Sequence, residues 1–145
     1  TMAQAAPALA QNVMDAINTR ATAQYNAWKT TATPEQKQGG MERLEKYRND
    51  PAMKAEMHAK MTQMWTDADA DQDGKLNLAE YRVWQGNMDA MAIERGDWRE
   101  SGDHMEENYN ISNMISEGDG VTMAEMFMVM GPWMAKFEEL KAADQ

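Results

Sequence analysis

A stretch between residues 69 and 80 carries four carboxylates, three at alternate positions and one at the end. The spacing matches D-x-[DN]-x-[DN]-G-x5-E, a loop whose side-chain oxygens converge on one hard cation. The glycine at the sixth position allows a sharp turn, and the seventh residue offers its backbone carbonyl. The candidate metal ligands are Asp69, Asp71, Asp73, the Lys75 carbonyl, Asn77 and Glu80.

The ion that this donor set favours is Ca²⁺, which takes six to eight oxygen ligands at flexible angles. Glu80 can give both of its oxygens, and a bidentate ligand suits Ca²⁺ better than Mg²⁺, which requires a tighter octahedron. Mg²⁺ is expected to compete for the same oxygens. The alternative interpretation is a solvated acidic turn, in which crowded carboxylates without a cation would repel one another.

Helical patterns flank this loop on both sides. Methionine and tryptophan recur at helical spacing between Met53 and Trp65, and Tyr81 and Trp84 continue a similar stripe after the loop. With these flanks and the apolar Leu76 at loop position 8, the segment resembles the EF-hand superfamily of Ca²⁺-binding proteins. The resemblance implies an all-α fold in which helix–loop–helix units pair through their loops.

A second, degenerate loop is expected near residues 114–125. When the residues before Glu125 are aligned with those before Glu80, Val121 falls at position 8, where it can pair with Leu76. The resemblance to a paired EF-hand therefore extends over the second half of the chain.

The first position of this second loop falls on Met114 or Ile115, and neither side chain carries an oxygen. We expect the loop to support the first one structurally. The alternative is weak Ca²⁺ binding through backbone carbonyls together with Glu117, Asp119 and Glu125.

Helical periodicity covers most of the chain, and no segment shows sustained strand-like alternation. Thr33-Pro34 is typical of a helix N-cap, although Gly39-Gly40 leave open a start near Met41. Asp50-Pro51 ends one helix and caps the next. Further helices are predicted over 7–31, 78–94, 103–115 and from Thr122 to about Ala142 with an interruption at Gly131-Pro132.

The chain is predicted to contain two regions. Residues 1–50 form an N-terminal helical region, either a helical hairpin or an eroded EF-hand lobe. Residues 51–145 form the EF-hand pair, with the working loop at 69–80 and the degenerate loop at about 114–125.

The composition excludes several classes of function. With 24 acidic and 14 basic residues, the chain has a formal net charge of −10, which disfavours nucleic-acid binding and suits a cation or a basic partner. The absence of cysteine excludes thiolate metal sites and a cysteine nucleophile. No apolar run approaches the roughly 20 residues of a membrane span. The N-terminal residues lack the pattern of a secretory signal, so a cytoplasmic location is expected.

We expect no enzymatic activity. The sequence shows no Ser/His/Asp order, no glycine-rich phosphate loop and no paired carboxylates outside the metal-binding loop. The two histidines, His58 and His104, are expected at the surface rather than in a catalytic or luciferin-binding site.

Methionine is unusually frequent, with 16 methionines against only five leucines. Methionine is flexible and polarizable, and it is over-used on surfaces that accept several partners. The consecutive apolar residues 126–130 cannot all face one side of a helix. They predict either a surface for a target helix or irregular core filling.

Three hypotheses follow for this acidic, methionine-rich chain. In a calmodulin-like sensor for signalling, Ca²⁺ binding reorients helix 78–94 and exposes the methionine-rich surface to a protein or peptide partner. In a closed buffer, which resembles sarcoplasmic calcium-binding proteins and calexcitin, the hand barely opens. In a structural or interaction protein, the ion stabilises the hand and residues 1–50 or 96–103 hold the partner. The methionine content favours the sensor.

Overall fold

Six α-helices form the regular structure of residues 9–116 and 118–144, the part of the chain that this computed structural model describes. Within those residues the only extended pairing is a single antiparallel bridge between Leu76 and Val121. The all-α prediction is therefore confirmed. The helices are α1 (Gln11–Thr31), α2 (Pro34–Asn49), α3 (Pro51–Ala68), α4 (Leu78–Glu94), α5 (Met105–Asn113) and α6 (Met123–Ala143).

Side-chain caps fix the beginnings of α2 and α3. The Thr33 hydroxyl accepts a hydrogen bond from the Gln36 amide, and the Gln36 side chain accepts one from the Thr33 amide. The Asp50 carboxylate accepts hydrogen bonds from the first amides of α3. Each helix has proline at its first position, where the missing N–H removes no helical hydrogen bond. The predicted boundary at residues 49–51 is therefore confirmed.

Helix α2 begins at Pro34 and continues through Gly39 and Gly40, so the alternative start near Met41 is wrong. The capping box and packing against α3 both stabilise α2, and they act against two helical glycines that each weaken a helix by about 1 kcal/mol relative to alanine. The region before residue 9, which includes the predicted start of α1 at Pro7, lies outside the described residues.

Helix α6 runs without a break through Gly131 and Pro132, so the predicted interruption there is wrong. Proline already has a helical φ, and it removes only one hydrogen bond and crowds one preceding carbonyl. Burial of Val129 before it, and packing of Trp133 after it, hold both sides of the proline in one helix.

The buried residues form two clusters. The larger one lies among α3, α4, α5 and α6 and includes Trp65, Trp84, Leu76 and Val121. The smaller one joins α1 to α5 and α6, with Val13, Ile17, Ile111 and Val129 at its centre. Helix α2 buries no residue and packs against α3. Among the described helices, none is both long enough and apolar enough to cross a membrane.

Candidate metal centre

The α3–α4 loop brings three carboxylates together. Asp69 follows the last residue of α3, and Asp71 and Asp73 follow at alternate positions before α4 begins. One carboxylate oxygen from each of the three lies within 4.8 Å of the others. Asp69 is buried, whereas Asp71 and Asp73 face solvent. Three of the predicted ligands therefore converge on one point that is open on one side.

The two oxygens of the Asp69 carboxylate have different surroundings. Its Oδ2 accepts a hydrogen bond of 2.8 Å from the Gly74 amide. Its Oδ1 is buried and has no hydrogen-bond partner. A buried carboxylate oxygen without a partner is costly, and a cation at the centre of the three aspartates would supply one. The residues present therefore fit a hard divalent cation.

The loop backbone turns so that one carboxylate oxygen of each aspartate approaches the same point. Gln72 has a φ of 56° and Gly74 a φ of 83°, and the second value is one that glycine adopts at little cost. The amide of Asp73 donates to Asp71, and the amide of Lys75 donates to Asp73. Asp71 thus stabilises the turn that positions Asp73, and Asp73 stabilises the turn that leads to Lys75.

Asn77 and Glu80 serve in the N-terminal cap of α4. The Asn77 side chain accepts from the Glu80 amide at 2.9 Å, and Glu80 Oε1 accepts from the Asn77 amide at 3.0 Å. Glu80 Oε2 accepts from the Ala70 amide at 2.7 Å, so this buried carboxylate also ties the loop to the helix. Glu80 lies outside the group of three aspartates, but each of its oxygens keeps a second lone pair for a cation.

The three aspartates differ in their affinity for protons. The pKa of Asp71 is raised by desolvation, by the adjacent Asp69 carboxylate and by the negative charges of Asp73 and Glu80. The pKa of Asp73 is lowered, chiefly by the hydrogen bond from the Lys75 amide. Desolvation and neighbouring negative charge therefore destabilise the ionised form of Asp71, and a bound cation would relieve both effects.

The second loop meets the first through the expected pair of apolar residues. Leu76 and Val121 are completely buried and exchange two backbone hydrogen bonds, of 2.8 and 2.9 Å. Thr122 and Glu125 then cap α6 in the way that Asn77 and Glu80 cap α4. The register that places Val121 opposite Leu76 is therefore confirmed.

Asn113, the last residue of α5, contacts the second loop, and the sequence alignment missed it. The first position was expected at Met114 or Ile115, but it is the Asn113 side chain that accepts a hydrogen bond, of 3.3 Å, from the Gly120 amide. The Ser116 hydroxyl donates to the Gly120 carbonyl at 2.5 Å. Asp119 is exposed, and Glu117 lies outside the described residues. An oxygen-bearing residue directly before the expected position was the signal that could have identified Asn113.

The methionine-rich segment of α6 is partly buried. Met126 and Val129 belong to the two cores, Phe127 and Met130 are half-buried, and Met128 is exposed. His58 is exposed and stacks on Phe127, with 6.0 Å between the ring centroids. The surface position predicted for His58 is thus confirmed.

Comparisons of the chain with protein-family models, with curated proteins and with solved structures give no match. The assignment of a function therefore depends on the loop itself.

Proposed function

We propose that the protein binds one Ca²⁺ ion in the loop 69–80. The observation that carries the proposal is the convergence of three carboxylates on one point, with Asp69 Oδ1 buried and without a hydrogen-bond partner. Asp69, Asp71 and Asp73 would hold the ion, and Glu80, Asn77 and the Lys75 carbonyl would complete an all-oxygen shell. Such a shell suits a hard cation, and its flexible angles favour Ca²⁺.

The leading form of this function is a cytoplasmic Ca²⁺ sensor. A shell of half-buried methionines surrounds the larger core and is contributed by the helices that flank the two loops, α3 to α6. Movement of α4 on Ca²⁺ binding would expose this shell to an apolar face of a protein or peptide partner. The expected dissociation constant is that of sensor hands, about 10⁻⁷–10⁻⁵ M.

A second candidate is a closed Ca²⁺ buffer, and a specific contact favours it. The indoles of Trp65 on α3 and Trp84 on α4 meet edge to face, with 5.0 Å between their centroids. Both rings are buried, so opening of α4 away from α3 would separate a well-packed aromatic pair. In a buffer this pair stays closed when the ion binds.

A titration of the metal-free protein with Ca²⁺ tests both candidates. Calorimetry in millimolar Mg²⁺ measures binding, and a dye for apolar surface measures opening in the same samples. Binding with a saturable rise in dye fluorescence supports the sensor, and binding without it supports the buffer. If neither Ca²⁺ binding nor Ca²⁺-dependent thermal stabilisation occurs, the proposal is wrong.

A further inference from the structure

A cleft separate from the metal centre lies between α1, α2, α3, α6 and the segment that connects α4 to α5. It consists of two adjoining pockets of about 270 and 310 Å³, and no residue of the loop 69–80 lines either one. We call it the aromatic cleft and define it by the residues that both pockets share. These are Trp28, Gly40, Leu44, Trp98 and Arg99.

Several aromatic rings line the cleft. Trp133 and Phe137 of α6 join Trp28 and Trp98, so three of the five tryptophans of the chain line one cleft. Trp28 and Phe137 contact each other edge to face at 5.3 Å. The Trp98 indole is fixed by a hydrogen bond of 2.9 Å to the Thr31 hydroxyl. The rings therefore form a fixed wall that can contact the face or edge of a flat aromatic ligand.

On the side of the cleft formed by α2, a glycine takes the place of a larger side chain. Gly40 lines both pockets, and a Cβ placed on it would meet no atom within 4 Å. Glycine in a helix interior is less stable than alanine, and the surrounding packing gives no reason for its presence here. The missing side chain leaves open the space between α2 and the tryptophans.

The charge of the cleft is opposite to that of the whole chain. Five basic side chains line the two pockets but only two acidic ones, Asp97 and Glu138, whereas the chain has 14 basic and 24 acidic residues. The basic residues are Lys37, Arg43, Arg95, Arg99 and Lys141.

Two of these cations lie close to the aromatic wall. The ammonium groups of Lys37 and Lys141 lie 5.2 and 5.8 Å from the centre of the Trp28 ring. Lys141 is paired with Glu138, while the Lys37 ammonium donates to the Lys29 carbonyl. Lys37 can therefore bind an anion without breaking an ion pair with a carboxylate.

The three arginine guanidinium groups lie close together in the second pocket of the cleft. Arg43 and Arg95 both pair with Asp97. The pKa of Arg95 is lowered by desolvation and by the positive charges of Arg43 and Arg99. An anion placed in this pocket would reduce that repulsion.

We propose that the aromatic cleft binds a small, flat aromatic carboxylate. The rings of Trp28, Trp98 and Trp133 would contact its aromatic body, and the surrounding lysine and arginine side chains would bind its carboxylate. The size of the two pockets suits a molecule of one or two fused rings rather than a folded partner. This binding is separate from Ca²⁺ binding and does not depend on it.

The test uses 2-naphthoate as the probe and 2-naphthol as its neutral counterpart. In spectra of the ¹⁵N-labelled full chain, the indole N–H signals of Trp28, Trp98 and Trp133 should shift with 2-naphthoate. The signals of Trp65 and Trp84, which are buried in the larger core and line neither pocket, should not shift. We expect 2-naphthoate to bind at least about fivefold more tightly than 2-naphthol. Equal affinity, or shifts of all five signals, would overturn the proposal.

Two matched glycine variants separate loss of the site from loss of the fold. Gly40→Leu fills the cleft, whereas Gly86→Leu places the same side chain on α4, away from both pockets. A Cβ at either position meets no atom within 4 Å. We expect Gly40→Leu to weaken 2-naphthoate binding at least about tenfold without lowering the melting temperature, and Gly86→Leu to leave binding unchanged. Undiminished binding in Gly40→Leu would show that the probe binds elsewhere.

A separate substitution tests whether binding requires the positive charge of Lys37. Lys37→Gln should reduce the affinity for 2-naphthoate by about threefold to tenfold and leave that for 2-naphthol unchanged, because only the former carries a charge. Lys60→Gln, on the exposed surface of α3, is the control. If both substitutions weaken binding equally, the effect comes from overall net charge and the assigned contact is wrong.

Discussion

Leu76 and Val121 face each other from two different loops and exchange both of their backbone hydrogen bonds. Their side chains are completely buried and belong to the larger core. The bridge joins the α3–α4 unit to the α5–α6 unit. The position of the aspartate loop therefore depends on the second loop. Among the described residues, the carboxylates of that second loop do not form a group that could hold a metal ion.

Gly120→Ala should destabilise the protein by about 1–3 kcal/mol. Gly120 has a φ of 108°, and a Cβ there would lie 3.0 Å from the Lys75 Cβ in the opposite loop. Chemical denaturation measures the loss. Gly86→Ala, at an open helical position, should be neutral or stabilising. Equal effects of the two substitutions would contradict the tight approach of the loops.

Glu80→Gln should reduce Ca²⁺ affinity at least tenfold, on the order of 1.4 kcal/mol. Glutamine retains a side-chain oxygen for the cap of α4 but loses the charge that a cation requires. Calorimetry measures the change, and Glu125→Gln, which alters the equivalent cap of α6, is the matched control. An unchanged affinity in Glu80→Gln would mean that the ion has been located wrongly.

Arg20→Met should cost about 3–5 kcal/mol of stability, because the largely buried Glu100 carboxylate loses its guanidinium partner and keeps only the His104 imidazole, 3.4 Å away. The Arg20 side chain is 6% exposed, and its guanidinium forms a two-pronged pair with Glu100 and a hydrogen bond with Asn108. Urea denaturation measures the loss. The double variant Arg20→Met/Glu100→Gln should recover part of it, since no unpaired charge remains. A loss below about 1 kcal/mol in the single variant would show that solvent reaches Glu100 freely.

Tyr25→Phe should make stability less dependent on pH at both extremes. The Tyr25 hydroxyl donates to Asp144, which lowers the pKa of Asp144 from 3.8 and raises the pKa of Tyr25 from 10.0. The Asp144 contribution is present above its ordinary pKa and is lost as pH falls through the lowered value. The Tyr25 contribution is present below 10.0 and is lost as pH rises through the raised value.

Urea unfolding at about pH 3, 7 and 11 checks this expectation. The difference in stability between wild type and Tyr25→Phe should be largest at neutral pH and should narrow at both extremes. Tyr47→Phe on α2, which removes a hydroxyl in the same way, should show no such narrowing. A constant difference at all three pH values would mean that the Tyr25–Asp144 bond is not the cause.

The sequence predicted well those elements that depend on neighbouring residues. Asp50 and Pro51 fix the α2–α3 boundary because a carboxylate can reach amides two and three residues ahead. The sequence predicted helix boundaries less well where tertiary packing determines whether a helix continues. Gly39-Gly40 and Gly131-Pro132 are unfavourable within helices, yet α2 and α6 continue through them because distant contacts and caps outweigh local preference.

By itself, the sequence determined the all-helical class, the caps and the group of aspartates at 69–73, since each of these depends on residues a few positions apart. Only the tertiary structure decided that Asn113 holds the second loop, that Arg20 pairs with Glu100, and that Trp28, Trp98 and Trp133 line one cleft. These residues lie far apart in the chain, and no local pattern determines which helix faces will meet. Their proximity results from burial of the two apolar cores, which depends on the whole chain at once.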